Sequence, residues 1–313
     1  MYNVRTDLAL EAAQMYSKAM DIEGADISEK NLGGVLVTDV KINTEFAAEK
    51  IGKPIGEYIT IEAEGIRDGD EEICKKTEKI LSKELVRMVK PQRSKKVLVV
   101  GLGNWNITPD ALGPKVSGAV CVTRHLFDHK AIRDNSSACS VSAISPGVLG
   151  ITGIETGEII KGIVDKTSPD VIIAIDALAS RSIARVSTTI QLSDTGIVPG
   201  SGIGNSRNGI TYETMGVPVV AIGVPTVVDA ATVANDTIEM LAQTVKASDG
   251  ENSKLYDLLR AMEGDGRYNL IKEVIKPYVG NLIVTPKEVD EIIDNVSAII
   301  ADSINYALLG EDI

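Results

Sequence analysis

Residues 96–116 read KVLVVGLGNWNITPDALGPKV, and this stretch decides the fold. Val97 to Val100 form an unbroken apolar run, the pattern of a strand buried on both faces. The run leaves into Gly101 and Gly103. A polar loop follows through Asn104 and Asn106, and Asp110 stands just before a helix expected over Leu112–Val120. Asp170–Arg181, DVIIAIDALASR, has a similar layout: a strand expected over Val171–Ile175, then Asp176. Two acidic residues at the carboxyl ends of two buried strands mark the edge where open α/β sheets bind their ligands.

Outward from this pair, short apolar segments alternate with amphipathic ones. Strands are expected at Gly33–Val40, Tyr58–Ala63, Cys139–Ile144, Val219–Ile222 and Leu282–Val284. Helices are expected at Leu8–Met20, with Thr6 or Asp7 as cap, and at Asp68–Val89, ended by Pro91. Further helices fall at Thr156–Asp165, Asp229–Val245, Ser253–Met262 and Val289–Leu308. This alternation predicts an α/β protein with three α/β/α layers and a mainly parallel central sheet. Residues 200–209, GSGIGNSRNG, read as a surface loop bordering a site.

Composition narrows the function. The formal charge is −12, from 32 basic and 44 acidic residues. That argues against nucleic acid as a direct partner, since phosphate binding needs a basic face. Cys74, Cys121 and Cys139 are odd in number, widely spaced and free of any CxxC, which fits reduced thiols in the cytoplasm. The N-terminus lacks the apolar core of a signal peptide, and no apolar run is read as membrane-spanning.

Gly101-Leu102-Gly103 invites a dinucleotide reading, but the third glycine is missing. Residues 104–109 also separate the turn from the helix that a pyrophosphate would need at once. On residue type alone Asp110 reads as a helix N-cap. Asp176 interrupts an apolar run, where a carboxylate must be paired or face a cleft. Together the two are able to activate a water and protonate a leaving group. His125 and His129 lie four apart, yet HLFDH lacks the glutamate of HExxH and reads as surface. No GxSxG elbow supports a serine triad. Cys139 reads as core.

The most specific strings are TDLALEA from Thr6, GLGNWNITPDALGP from Gly101, ISPGVLGITGIETGEII from Ile144 and IDALASRSIARVSTTIQLSDTGIVPGSGIGN from Ile175. On these the chain resembles the germination protease family of spore-forming bacteria, from Val4 to about VPTVVDAATVANDT at Val224. The strand-loop-helix also resembles that of the hydrogenase-maturation endopeptidases. The resemblance implies an endopeptidase that degrades small acid-soluble spore proteins in the forespore or spore core. It implies a homotetramer, and catalytic aspartates at Asp110 and Asp176. It also implies a precursor that removes its own N-terminus by cutting after an acidic residue and before an aliphatic residue and alanine. Thr6-Asp7-Leu8-Ala9 fits, so residues 1–7 are expected to be a pro-segment cut between Asp7 and Leu8. Residues 8–313 would then be one peptidase domain.

In this scheme Asp176 is expected to be the acid and Asp110 the base. Asn104 and the amides after Gly103 are the candidate oxyanion contacts, and Arg181 with Arg185 the candidate cations for the acidic substrate residue. No cofactor is expected. The rival readings are a metal-dependent peptidase using the same two aspartates and a non-catalytic nucleotide- or anion-binding protein.

Overall fold

The computed structural model describes residues 6–16, 21–128, 138–198, 209–249, 254–260, 265–280 and 282–310. Nine strands among them form one sheet. They are β1 (Ala25–Asn31), β2 (Leu36–Ile42), β3 (Gly56–Glu62), β4 (Lys96–Gly101), β5 (Ser140–Ile144), β6 (Val171–Ser180), β7 (Thr189–Ser193), β8 (Val219–Asp229) and β9 (Ile283–Val284). The helices are α1 (Ala9–Tyr16), α2 (Glu45–Ile51), α3 (Glu71–Val89), α4 (Leu112–Ala119), α5 (Arg124–Asp128), α6 (Leu149–Thr152), α7 (Thr156–Thr167), α8 (Tyr212–Met215), α9 (Ala230–Asp249), α10 (Lys254–Arg260), α11 (Asp265–Val279) and α12 (Val289–Leu309).

The sheet order is β1-β2-β3-β7-β8-β6-β4-β5, with β9 paired to β8. The strands read from the sequence as the buried centre, β5, β4, β6 and β8, run parallel. The other half, β1-β2-β3-β7, is antiparallel and joins β8 antiparallel, so the α/β sheet is mixed.

Side chains alternate between the two faces of each strand. One face carries Val97, Val99, Ile173, Ile175, Ile190, Leu192, Val220 and Ile222. It is covered by α3, α4 and α12 through Leu81, Leu85, Leu112, Val116, Ile293 and Ile300. Each such side chain contributes roughly 1.5–3 kcal/mol when fully buried. α12 is the one described helix long and apolar enough to cross a membrane by length and composition. Here it is a core helix, with buried residues from Ile292 to Leu309 packed on this face.

The opposite face is covered in two separate patches. α7 packs Ile160 and Val164 on Leu98, Val100, Ile172 and Ala174 at the parallel end. At the antiparallel end, α1 and α2 pack Ala9, Leu10, Ala13, Ala47 and Ile51 on Val40, Ile42 and Tyr58. Between these patches runs a row of polar or small residues in register across four strands: Asp176 on β6, Gly223 on β8, Gln191 on β7 and Thr60 on β3.

Local chemistry sets the element ends. Asp70 caps α3 by accepting from Glu72 N–H and Ile73 N–H, and Lys90 closes it in the left-handed region just before Pro91. Thr44 caps α2, and Gly52, with φ of +73°, ends it. Helix α1 begins at Ala9 rather than Leu8; just before it the Thr6 hydroxyl accepts from Leu8 N–H at 3.1 Å, and the Asp7 carboxylate accepts from Ala179 N–H. The Ala9 N–H is taken by the Gln191 side chain, at 2.6 Å, from across the fold. Residues 17–20 of the expected helix, most of residues 200–209 and His129 lie outside the described residues.

Candidate active site

The loop after β4 is closed by its own backbone. Asn104 N–H donates to the Asp110 carbonyl at 3.0 Å, and Asp110 N–H donates to the Ile107 carbonyl at 2.8 Å. Gly103 has φ of +112°, and a Cβ there would lie 2.0 Å from the Asp110 carbonyl oxygen. A Cβ at Gly101 would lie 2.0 Å from the Gly113 carbonyl oxygen. These glycines therefore let a loop fold back on β4 and a helix cross it closely. They serve backbone approach within the fold, and the dinucleotide reading has no support from them.

Asp110 ends a 3-10 turn, Thr108–Asp110, entered through Pro109. It is not the N-cap of α4. Ala111 holds that position, with no side-chain cap bond. The Asp110 turn lies against β6 and β8. Asp176 is 7% exposed and sits within β6, not at its end, because β8 accompanies β6 through Ser180. Its carboxylate accepts from Ala177 N–H at 3.0 Å. The neighbouring strand β4 does stop here: Gly101 pairs with Ile175, and Leu102 N–H donates to the Ile175 carbonyl. Asp176 is thus the first β6 residue past the end of β4.

Asn104 could serve the expected oxyanion role only through its side-chain NH2 group. Its backbone N–H is spent on the Asp110 carbonyl, and its side-chain oxygen accepts from Asn106 N–H at 3.0 Å. The arginines lie farther along β6. Arg185 is engaged by Glu62 at 2.7 Å, Glu11 at 3.3 Å and Gln14 at 3.1 Å. Arg181 and Arg185 line a cleft of about 690 Å³ with Glu11, Glu62 and Asp236. His125 is exposed on α5, and Cys139 is buried, where burial pushes its thiol up from the ordinary range. Among the described residues no three His, Cys, Asp or Glu side chains gather as a metal site.

The N-terminal segment is docked on the far end of β6. Asp7 N–H donates to the Ala179 carbonyl at 3.3 Å, and Ala179 N–H donates to the Asp7 carboxylate at 2.9 Å. Leu8 is fully buried. The Asp7 carbonyl oxygen accepts from Lys53 Nζ at 2.9 Å and from Gln191 Nε2 at 3.3 Å. Buried Glu11 fastens the helix behind it, accepting from Arg181 N–H at 2.8 Å, Ser182 N–H at 3.1 Å and the Ser180 hydroxyl at 3.1 Å. Beside the Asp7–Leu8 bond lies a cleft of about 220 Å³ bordered by Lys53, Tyr58, Leu178, Gln191 and Gly223. Lys53 and Gln191 were not read from the sequence. Gln191 carried a signal, an amide within the apolar stretch TTIQLS, where a buried amide must find partners. Lys53 carried none.

The sequence profile of the germination protease family matches residues 4–254 and 246–312. The chain belongs to the germination protease family. A germination protease from Caldanaerobacter subterraneus subsp. tengcongensis is 52% identical over 305 residues, covering 97% of this chain and 94% of that one. One from Clostridium tetani is 50% identical, covering 98% and 95%. One from Bacillus thuringiensis subsp. konkukian is 45% identical, covering 98% and 94%. Among solved structures, a NiFe hydrogenase maturation protease from Thermococcus kodakarensis is 13% identical, covering 70% of this chain and 98% of that one, with a TM-score of 0.34. Family membership makes the chain an endopeptidase of spore germination.

Proposed function

We propose that this endopeptidase opens the degradation of small acid-soluble spore proteins, is made as a precursor that cuts itself between Asp7 and Leu8, and hydrolyses peptide bonds with Asp110 and Asp176. The observation that carries the reading is the seat of the N-terminal segment. Asp7 pairs with Ala179 on the same strand that bears Asp176, and the Asp110 turn packs on that strand. The string Thr6-Asp7-Leu8-Ala9 has the acidic, aliphatic and alanine order that the family resemblance implies for substrates.

The chemistry is a water attack. One carboxylate takes a proton from water as the oxygen bonds to the carbonyl carbon of the acidic residue, giving a tetrahedral oxyanion. The other gives its proton to the departing amine as the C–N bond breaks. Asp176, the more deeply buried, is assigned as the acid, and Asp110 as the base. The net charge of −12 fits a protein substrate rather than a nucleic acid. The family resemblance supports a homotetramer acting in the forespore cytoplasm.

The test is N-terminal sequencing of the full chain after incubation at mildly acidic pH, beside Asp110→Asn and Asp176→Asn. A new start at Leu8 in the parent alone supports the scheme. Cleavage persisting in both variants removes the aspartates from it. A chelator is added in parallel: loss of activity that divalent metal restores would replace the metal-free scheme.

A further inference from the structure

The Asp7 carbonyl is held by two side chains that no part of the scheme above uses. Lys53 Nζ stands 2.9 Å from it and 3.3 Å from the preceding Thr6 carbonyl. Gln191 Nε2 stands 3.3 Å from the same oxygen, while Gln191 Oε1 accepts from Ala9 N–H at 2.6 Å. The carbonyl oxygen before the Asp7–Leu8 bond and the second amide after it are thus fixed by one amide side chain. An ammonium lies against the oxygen.

Both holders are set by the fold. Lys53 follows Gly52, whose φ of +73° turns the chain sharply out of α2. Tyr58 then ties the turn down by donating its hydroxyl to the Pro54 carbonyl at 2.9 Å. Gln191 lies in β7 in register with Gly223, which is in register with Asp176. Partners in register face the same side of a sheet, so Gln191 and Asp176 share a face, two strands and roughly 10 Å apart. Gly223 adds no side chain between them, and Leu178 leans over it.

We propose that Lys53 and Gln191 form the oxyanion contact of this protease, for its own Asp7–Leu8 bond and for substrates that later occupy the same groove. The inference rests on the self-cleavage reading and deepens it. When water adds to the Asp7 carbonyl, the π electron pair moves onto the oxygen, and the new negative charge faces the Lys53 ammonium and the Gln191 N–H. When the C–N bond breaks, that pair returns to re-form the carbonyl. Fixed donors aimed at developing charge favour the transition state over the ground state, most strongly where water is excluded. Burial pulls the Lys53 pKa below its ordinary value, and the Asp7 and Glu11 carboxylates pull it back up. A substrate in trans would put its acidic residue where Asp7 sits, pairing it with Ala179, and its aliphatic side chain would take the Leu8 pocket once the new N-terminus withdraws from it.

The experiment uses the full chain, its self-processed product and a peptide of this chain's own residues flanking Asp7–Leu8. Steady-state kinetics on the peptide compare the parent with Lys53→Met, Lys53→Arg and Gln191→Glu. The last keeps an acceptor for the amide that Ala9 donates but replaces the donor with a carboxylate oxygen. The expected result for Lys53→Met is a kcat roughly 100- to 1000-fold lower with KM within a few-fold. Partial recovery is expected in Lys53→Arg, with a parallel slowing of self-cleavage. Gln191→Glu should lower kcat likewise. If Lys53→Met fails to fold, Gln191→Glu decides. An unchanged kcat, or a loss confined to KM, overturns the proposal. Failure of the underlying reading looks different: the parent would cut the peptide yet never yield a chain starting at Leu8, or Asp110→Asn and Asp176→Asn would stay active.

Discussion

Replacing Gly103 with alanine places a methyl carbon 2.0 Å from the Asp110 carbonyl oxygen and 3.1 Å from one of its carboxylate oxygens. Comfortable contact needs about 3.5 Å, so the Asp110 turn must move by more than about 1 Å. The movement stretches the bond from Asn104 N–H to the Asp110 carbonyl, now 3.0 Å, a loss of about 1 kcal/mol. The φ of +112° adds strain of about 1–3 kcal/mol for a residue with a Cβ. Stability should therefore fall by about 2–4 kcal/mol, a drop in Tm of roughly 3–6 °C for a chain of this length. The effect on rate should be larger than stability alone explains. Displacing a reacting group by about 1 Å costs around a hundredfold in kcat. Gly153→Ala separates strain from displacement: its φ is +71°, but a Cβ there meets nothing within 4 Å. It should lose some stability and keep its kcat. Melting curves and peptide kinetics on the two variants decide the matter. A Gly103→Ala enzyme that melts lower yet keeps kcat within about threefold of the parent would refute Asp110 as a reacting group.

Two further outcomes follow from buried charge. Glu11 is 3% exposed and holds α1 to the end of β6. Glu11→Ala leaves those amides and one bond of Arg185 unmet, at a cost of about 3–5 kcal/mol. Because Glu62 still holds Arg185, the lower figure is expected, and hydrogen exchange of α1 should speed up by about a hundredfold. Unchanged exchange would mean that α1 is held by its apolar contacts alone. Asp39 has a carboxylate oxygen buried without a protein partner, and burial, then Glu57, raises its pKa against the pull of Arg87. A raised carboxylate pKa means that the folded state binds its proton more tightly than the unfolded chain. Stability is then gained as pH falls through the raised value toward the unfolded one, and it is lost above. Asp39→Asn should raise Tm at neutral pH, with the advantage shrinking on acidification; a constant difference across pH would count against this.

How far the site was legible depended on how locally its residues are held. β4, its glycine loop and α4 were readable because apolar run, turn and helix follow one another within 96–119. Asp176 was readable as an acid in an apolar run, but its place inside β6 was not, since that strand is prolonged by β8, which continues past Pro225 beside it. β1, ADISEKN, shows no apolar alternation, being mostly exposed and held by pairing with β2. Asp110 looked like a cap because caps are commonly aspartate. The 3-10 turn that displaces it depends on Gly103 letting the loop close, which spacing alone does not show. Lys53 and Gln191 reach Asp7 from 46 and 184 positions away, where no local pattern applies.

That distribution has a physical logic. A fully covered sheet face would bury more apolar surface, yet here the covering stops at Ala174 on one side and resumes at Tyr58 on the other. Closing the gap with aliphatic residues would stabilise the fold and remove the site. The N-terminal segment fills the gap instead, burying Leu8 and meeting its backbone groups from Ala179, Lys53 and Gln191. A segment that satisfies the groove in this way competes with any other chain of the same shape. In the proposed self-cleavage residues 1–7 would leave while Leu8 stays on the chain, which would free the Ala179 backbone, Lys53 and the Gln191 amide to find partners again. The substrate proposed above, extended and with an acidic residue before an aliphatic one, would meet those needs. If the chain is a self-cleaving precursor as proposed, the contacts that hold Asp7 would be the ones that later select the acidic residue of what it cuts.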